Sequence, residues 1–369
     1  MSMRKMVLGA AMLAGLTVAG SASAQQTTTP AAAAPPAAPD GAPAAAAPAP
    51  LPWRGTQLLT TFGVTLPTIF RDMNLTPNDT VDMTLILRPR WTFNRWVQLR
   101  GGLAFSYEFT NSDTTTTQHE PRFGDANLDL WITGIPPLGG AVKFWVAPRL
   151  VFPVSPESRA RTLIVTPAVV VQAAYSVEHV LGGEFELIAN ATYSHPLYEY
   201  TTPGRRTPLP YQANCFGSGA GGSCSEQLSG GFNPSNTLSW AVIIAQSWTH
   251  VSPGVYFAMQ HIWDYTGTNV NLVNNSPTSR RTNTIFAAWI DWNVNPWFTA
   301  EFGYQVFRNL LDGDGNWGNP FYAPYQDTRF YIQGIFSLDK IYEAIAGRGE
   351  HTGGVLRTRN HAPGQFAMF

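Results

Sequence analysis

From about Gln57 to Leu338 the chain alternates apolar and polar positions in stretches of 10–16 residues, and the connections between them are alternately short and long. A period of two sends successive side chains to opposite faces of a β-strand. Over 80–93, Val81, Met83, Leu85, Leu87, Pro89 and Trp91 share one face, and Asp82, Thr84, Arg88, Arg90 and Thr92 share the other. Over 96–109 the sets are Val97, Leu99, Leu103, Phe105, Tyr107 and Phe109 against Gln98, Arg100, Ser106 and Glu108. About twelve strands are predicted, at 56–68, 80–93, 96–109, 123–133, 141–153, 163–176, 183–195, 237–250, 254–266, 283–293, 297–309 and 328–338. The connections after odd strands, such as Asn111–Pro121, Leu197–Asn236, Thr268–Thr282 and Leu310–Asp327, are long and polar. Those after even strands, Asn94-Arg95, Gly134–Gly140, Val251–Pro253 and Val294–Pro296, are tight.

This pattern predicts an all-β fold, a transmembrane antiparallel up-and-down β-barrel with short turns at one end and long loops at the other. The even strand count brings both termini to the same side. The apolar face carries aromatics to the strand ends (Trp91, Phe93, Tyr107, Phe109, Tyr193, Trp263, Tyr265, Trp292), as interfacial girdles do. A soluble sandwich would keep its apolar face inside and its rim polar.

Composition agrees. Charged residues are 13% of the chain and aromatics 12%, against about 25% charged in ordinary soluble domains. Arg4-Lys5, an apolar run from Met6 to Gly20 and Ala22-Ser23-Ala24 read as a secretory signal over 1–24. No later run approaches the roughly 20 apolar residues of a helical span. Residues 25–52 are almost entirely Ala and Pro, a composition that cannot bury a core and reads as a periplasmic spacer. The barrel is expected over 53–338, with a polar, Gly-rich periplasmic tail over 339–369 and a short helix at Lys340–Ala346. Without the signal, 21 basic residues face 24 acidic ones, so no basic patch points to nucleic acid.

The final predicted strand, Arg329 to Leu338, places Phe330, Ile332, Phe336 and Leu338 on one face. It resembles the terminal assembly signal of bacterial outer-membrane barrels, although the chain continues for 31 residues beyond it. Arg122-Phe123-Gly124-Asp125-Ala126-Asn127-Leu128-Asp129-Leu130 is similar to a strand of outer-membrane transporters linked to aromatic-compound degradation. The general porin and transporter likeness covers 53–338, and the subfamily likeness about ten residues. The resemblance implies a place in the outer membrane of a Gram-negative bacterium and a transport role without a stated substrate. It also implies contact with lipid and lipopolysaccharide, and the barrel-assembly machinery as a partner. The spacer or tail is a candidate contact for a periplasmic partner, as in the outer portal of an export assembly.

Sorting polar positions by face gives an expected pore lining. Its basic members are Arg88, Arg90, Arg100, Lys143 and Arg149, with Asp125 and Asp129 among them. Glu184, Glu186, Asp264, Asp291 and Glu301 form an acidic set. Opposed charge walls would set up a transverse field that filters ions and orients dipolar solutes. Centring the turn at Pro137 places Asp125 opposite Arg149. The mixture of signs argues against a dedicated anionic-sugar channel. A barrel filled by ion pairs is the alternative to an open one.

No cofactor, catalytic or metal site is expected. His195 and His261 find no serine on their own face, which leaves an outer-membrane hydrolase poorly supported. Asp312-Gly313-Asp314-Gly315-Asn316 begins like a calcium loop, but Trp317 and Ala323 occupy its sixth and twelfth positions. Cys215 and Cys224 are expected to close a small disulfide in the oxidising compartment, at the tip of the long loop 197–236. Loops of that length are commonly functional, and this one is the expected gate. Deleting 204–230 should then raise single-channel conductance, and an unchanged conductance would remove the loop from that role.

Overall fold

The computed structural model describes residues 51–70, 80–110, 119, 121–136, 141–201, 233–265, 280–311, 316–323 and 328–346. The expected signal, nearly all of the spacer, the cysteine pair with most of the gate loop, Asp312–Gly315 and the tail beyond 346 lie outside these residues.

Fifteen strands form one sheet. They are β1 (Gln57–Thr65), β2 (Val81–Arg88), β3 (Arg90–Thr92), β4 (Val97–Glu108), β5 (Pro121–Phe123), β6 (Ala126–Ile132), β7 (Val142–Phe152) and β8 (Leu163–Val180). β9 (Gly183–Ser194), β10 (Leu197–Tyr198), β11 (Pro234–Ser247), β12 (Val251–Asp264), β13 (Arg280–Asn295), β14 (Phe298–Asn309) and β15 (Thr328–Ser337) follow. Three short helices complete the described elements: α1 (Leu66–Ile69), α2 (Pro156–Ala160) and α3 (Leu338–Ile345). Around the wall the order is β1, β2, β4, β6, β7, β8, β9, β11, β12, β13, β14, β15. β15 then pairs antiparallel with β1 through nine residue pairs, from Gln57↔Ser337 to Thr65↔Arg329. The result is a closed barrel of twelve antiparallel wall strands. No helix of the described residues is long and apolar enough to cross a membrane.

Small differences from the expected strands have local causes. Pro89 lacks an N–H and separates β3 from β2. Residues 66–68, expected as strand, belong to α1, where Pro67 sits in the first turn. The turn between β11 and β12 lies at 248–250 rather than 251–253, closed by Trp248 N–H donating to the Val251 carbonyl at 2.9 Å. Pro253 therefore lies inside β12, one residue beyond its last pair with β11 (Ala245↔Gly254), and having no N–H to offer β11 it ends that ladder. Leu338 opens α3 instead of closing β15. At the β8–β9 hairpin both Leu181 and Gly182 have positive φ, +50° and +76°. A two-residue turn with that backbone matches the twist of the flanking strands.

The outer face is apolar. Leu87, Leu128, Leu130, Val171, Leu187 and Ile290 all point away from the barrel and are exposed. Trp91, Phe93, Trp96, Trp248, Trp292 and Trp297 are exposed around the short-turn end. Inside, the barrel is divided. On β8, β9 and β11–β13, Ala174, Ile188, Ala241, Ile243, Tyr256, Ala258, Ile285, Ala287 and Trp289 form one buried cluster, with Trp145 and Phe307 packed against it. On the opposite side a smaller cluster of Leu59, Ile86 and Ala104 leaves room for polar groups.

Ile243 is 2% exposed within the larger cluster. Ile243→Ala should cost about 2–4 kcal/mol in equilibrium urea unfolding of the refolded barrel, because the site can collapse only partly. A cost below about 1 kcal/mol would mean that the cluster is loosely packed.

Candidate functional site

The polar side of the interior encloses a cavity of about 900 Å³. At one end it is bounded by Glu157, Ser158 and Arg161 in and beside α2, and at the other by Gly55, Gln57 and Trp131. Its walls come mainly from β1–β7, with Gln305, Phe307 and Arg329 from β14 and β15. Seven arginines line it (Arg88, Arg90, Arg100, Arg122, Arg149, Arg161, Arg329) together with five acids (Asp82, Glu108, Asp125, Asp129, Glu157).

The acids have identifiable local work. Asp129 accepts from Arg149 at both oxygens, Nε to Oδ1 and Nη2 to Oδ2, each at 2.7 Å. Such a two-point, charge-assisted contact fixes the orientation of both groups. Asp82 is ion-paired with Arg329. These two residues stand on β2 and β15, with β1 between them. Gly63 of β1 makes the crossing possible, since a Cβ there would overlap the Arg329 guanidinium. Asp125 holds α2: it accepts from the Ser155 backbone N–H at 2.9 Å and from the Ser158 hydroxyl. Arg122 adds an ion pair to Glu157 at 2.9 Å. The α2 loop is thereby tied over one end of the cavity.

Of the expected lining residues, Arg88, Arg90, Arg100, Arg149, Asp125 and Asp129 border this cavity. Lys143, Glu184, Glu186, Asp264, Asp291 and Glu301 do not. Lys143 is exposed near the short-turn end of β7, opposite Ala174. Glu184 and Glu186 lie near the same end of β9, opposite Ser247 and Ala245. Asp264 is at the long-loop end of β12, 3.5 Å from Arg281. Asp291 and Glu301 are register partners and buried, and Glu301 accepts from the Tyr331 hydroxyl at 2.7 Å. The middle of β8, β9 and β11–β13 is apolar, so no continuous acidic wall faces the arginines.

The β6–β7 register also departs from expectation. Asp129, not Asp125, stands opposite Arg149, a register four residues from the expected one. His261 is paired with Leu238 across β11 and bonds Thr282 Oγ1 at 3.0 Å. His195 Nδ1 lies 2.9 Å from Asn236 Oδ1. Neither histidine has a hydrogen bond to serine among the described residues. Among those residues no group of three or more His, Cys, Asp or Glu could hold a metal ion. Sequence reasoning did not assign Asp82, Glu108, Arg122, Arg161 or Arg329 to the lining. Asp82 and Glu108 carry the right alternation, and so does Arg329 beside Tyr331 and Gln333. Arg161 comes from a loop, where periodicity gives no signal.

No model of a known protein family matches the chain, and no curated protein matches it. The chain is similar, at low identity, to solved outer-membrane barrels. An outer-membrane channel from Pseudomonas putida F1 is 11% identical with a TM-score of 0.44, covering 80% of this chain and 99% of that one. The NanC porin is 8% identical with a TM-score of 0.40, covering 76% and 98%. The β domain of the Bordetella autotransporter BrkA is 10% identical with a TM-score of 0.37, covering 77% and 99%.

Replacing Asp125 by Ala removes two of the contacts that tie α2 to the wall and leaves the Arg122–Glu157 ion pair. Backbone amides of 155–161 should then exchange roughly tenfold faster, as expected for about 1–3 kcal/mol of lost local hydrogen bonding. Unchanged exchange would show that the loop is held by something else.

Proposed function

We propose that the chain is an outer-membrane channel that passes small hydrophilic or amphipathic solutes. The observation that carries this reading is the charged cavity on one side of a closed wall, bordered at one end by the α2 loop and at the other by the segment entering β1. Three features support the membrane setting: exposed apolar residues over the outer face, exposed tryptophans around the short-turn rim, and closure of every wall strand. A bilayer tolerates β-structure only when no strand edge is left open. In a bacterial cell such barrels occupy the outer membrane.

The route would follow β1–β7 instead of the barrel axis. The cluster on β8, β9 and β11–β13 packs the other side with largely apolar side chains and leaves it little room for water. Along the route the lining is mixed, with seven guanidiniums against five carboxylates. Three of those carboxylates, Asp82, Asp129 and Glu157, are ion-paired with Arg329, Arg149 and Arg122. The residual field is therefore positive, and a modest preference for anions over cations is expected. Aromatic and aliphatic groups (Trp131, Val151, Phe307) also border the space, which suits solutes with an apolar part.

Ala104 tests the route, being buried on the inner face of β4 and bordering the cavity. Ala104→Trp should reduce single-channel conductance in a planar bilayer to less than about half. An undiminished conductance from a correctly folded variant would place the pathway elsewhere.

A further inference from the structure

One row of side chains inside the barrel is built against its own electrostatics. Backbone register sets Arg90 of β3 directly opposite Arg100 of β4, Arg100 opposite Asp129 of β6, and Asp129 opposite Arg149 of β7. Like charges placed directly across a strand pair destabilise it. The single carboxylate in the row does not resolve this. Both Asp129 oxygens are engaged by Arg149, and Oδ1 also accepts from Asn127 Nδ2 at 3.0 Å. The row thus holds three guanidiniums and one carboxylate, and that carboxylate is already in a two-point contact.

The two remaining guanidiniums are positioned. Arg100 lies over the Trp131 ring, 4.2 Å from its centroid, and its Nη2 donates to Gln98 Oε1 at 3.0 Å. Stacking on an aromatic face holds a guanidinium flat and leaves its N–H edge for an in-plane acceptor. The Arg100 Nε–H is buried and has no hydrogen-bond partner among the described residues. Arg90 runs along Gly55, where a Cβ would come within 2.7 Å of its Nη1. Gly55 has φ +87°, so it is suited to that position on both counts. Among the described carboxylates, Asp339 at the start of α3 acts on Arg90 and Asp129 acts on Arg100. Both arginines border the cavity.

We infer that Arg90 and Arg100 form a binding site for the carboxylate group of a small organic acid inside the passage. A carboxylate between them would accept from both guanidiniums, occupy the idle Arg100 Nε–H and relieve the cross-strand repulsion. Trp131 and nearby aliphatic lining leave room for an apolar remainder. The inference rests on the channel reading for its biological sense, but not for its chemistry.

The test uses benzoate as the probe, with inorganic phosphate in parallel, on the refolded signal-free protein. Calorimetric titration in detergent should show saturable benzoate binding that weakens at least tenfold in Arg90→Gln and in Arg100→Gln. Benzoate added to the planar bilayer should block chloride current at matching concentrations. Binding without any conductance would keep the site and remove the channel. Conductance without benzoate binding would keep the channel and overturn the site, and so would phosphate binding tightly where benzoate does not. A structural role is separated by urea unfolding. Arg90→Gln should leave the midpoint unchanged or raise it, because a repulsion is removed, whereas a lowered midpoint with unaltered binding would make the pair scaffold and overturn the proposal.

Discussion

A strand wall surrounded by hydrocarbon has no water to satisfy an unpaired backbone group, so the pairing of β15 with β1 is the contact on which the rest depends. Each unsatisfied peptide group would cost several kcal/mol in lipid. Closure also fixes register, and a slip of one residue would turn every lipid-facing side chain inward. It decides which charges meet. Arg329 reaches Asp82 across β1 only because Gly63, in the closing strand, carries no side chain.

Closure leaves an interior too wide for one layer of side chains to fill evenly, and the chain resolves this asymmetrically. Small and branched residues with two large aromatics, Tyr256 and Trp289, pack one side into a dry cluster. The other side carries arginines, whose long stems cover apolar surface while their heads border the cavity. Most of its acids are paired with neighbouring arginines, and Asp125 is turned to holding α2. A charged cavity of this kind is set off-centre by hydrophobic packing, not by a second wall of opposite charge.

The architecture was legible because strand alternation and loop-length asymmetry are local signals repeated along the chain. Val81 to Trp91 against Asp82 to Arg90 sorted outside from inside correctly, and the same rule placed Leu128 and Leu130 against Asp129. Alternation says nothing about how far a strand slides against its neighbour. The β6–β7 register sets Arg149 opposite Asp129, four residues from Asp125. It also says little about inward apolar residues. Ile86, Ile188 and Ile243 interrupt a polar face, and only their meeting inside the barrel shows that part of the lumen is packed. The acids of β9, β13 and β14 were placed on the inner face by the same alternation. Their position near the short-turn end, outside the lining of the charged cavity, is a property of the assembled wall.

The central claim is that water follows β1–β7 and is excluded from the cluster on β8, β9 and β11–β13. Cysteine accessibility measures this most directly, in a background with Cys215 and Cys224 replaced by Ser and with the barrel refolded in lipid vesicles. Ser106 borders the cavity, while Ala258 is 3% exposed inside the cluster. A small water-soluble thiol reagent should label Ser106→Cys at least a hundredfold faster than Ala258→Cys. Equal rates at the two positions would contradict the divided interior, and with it the route assigned to solutes.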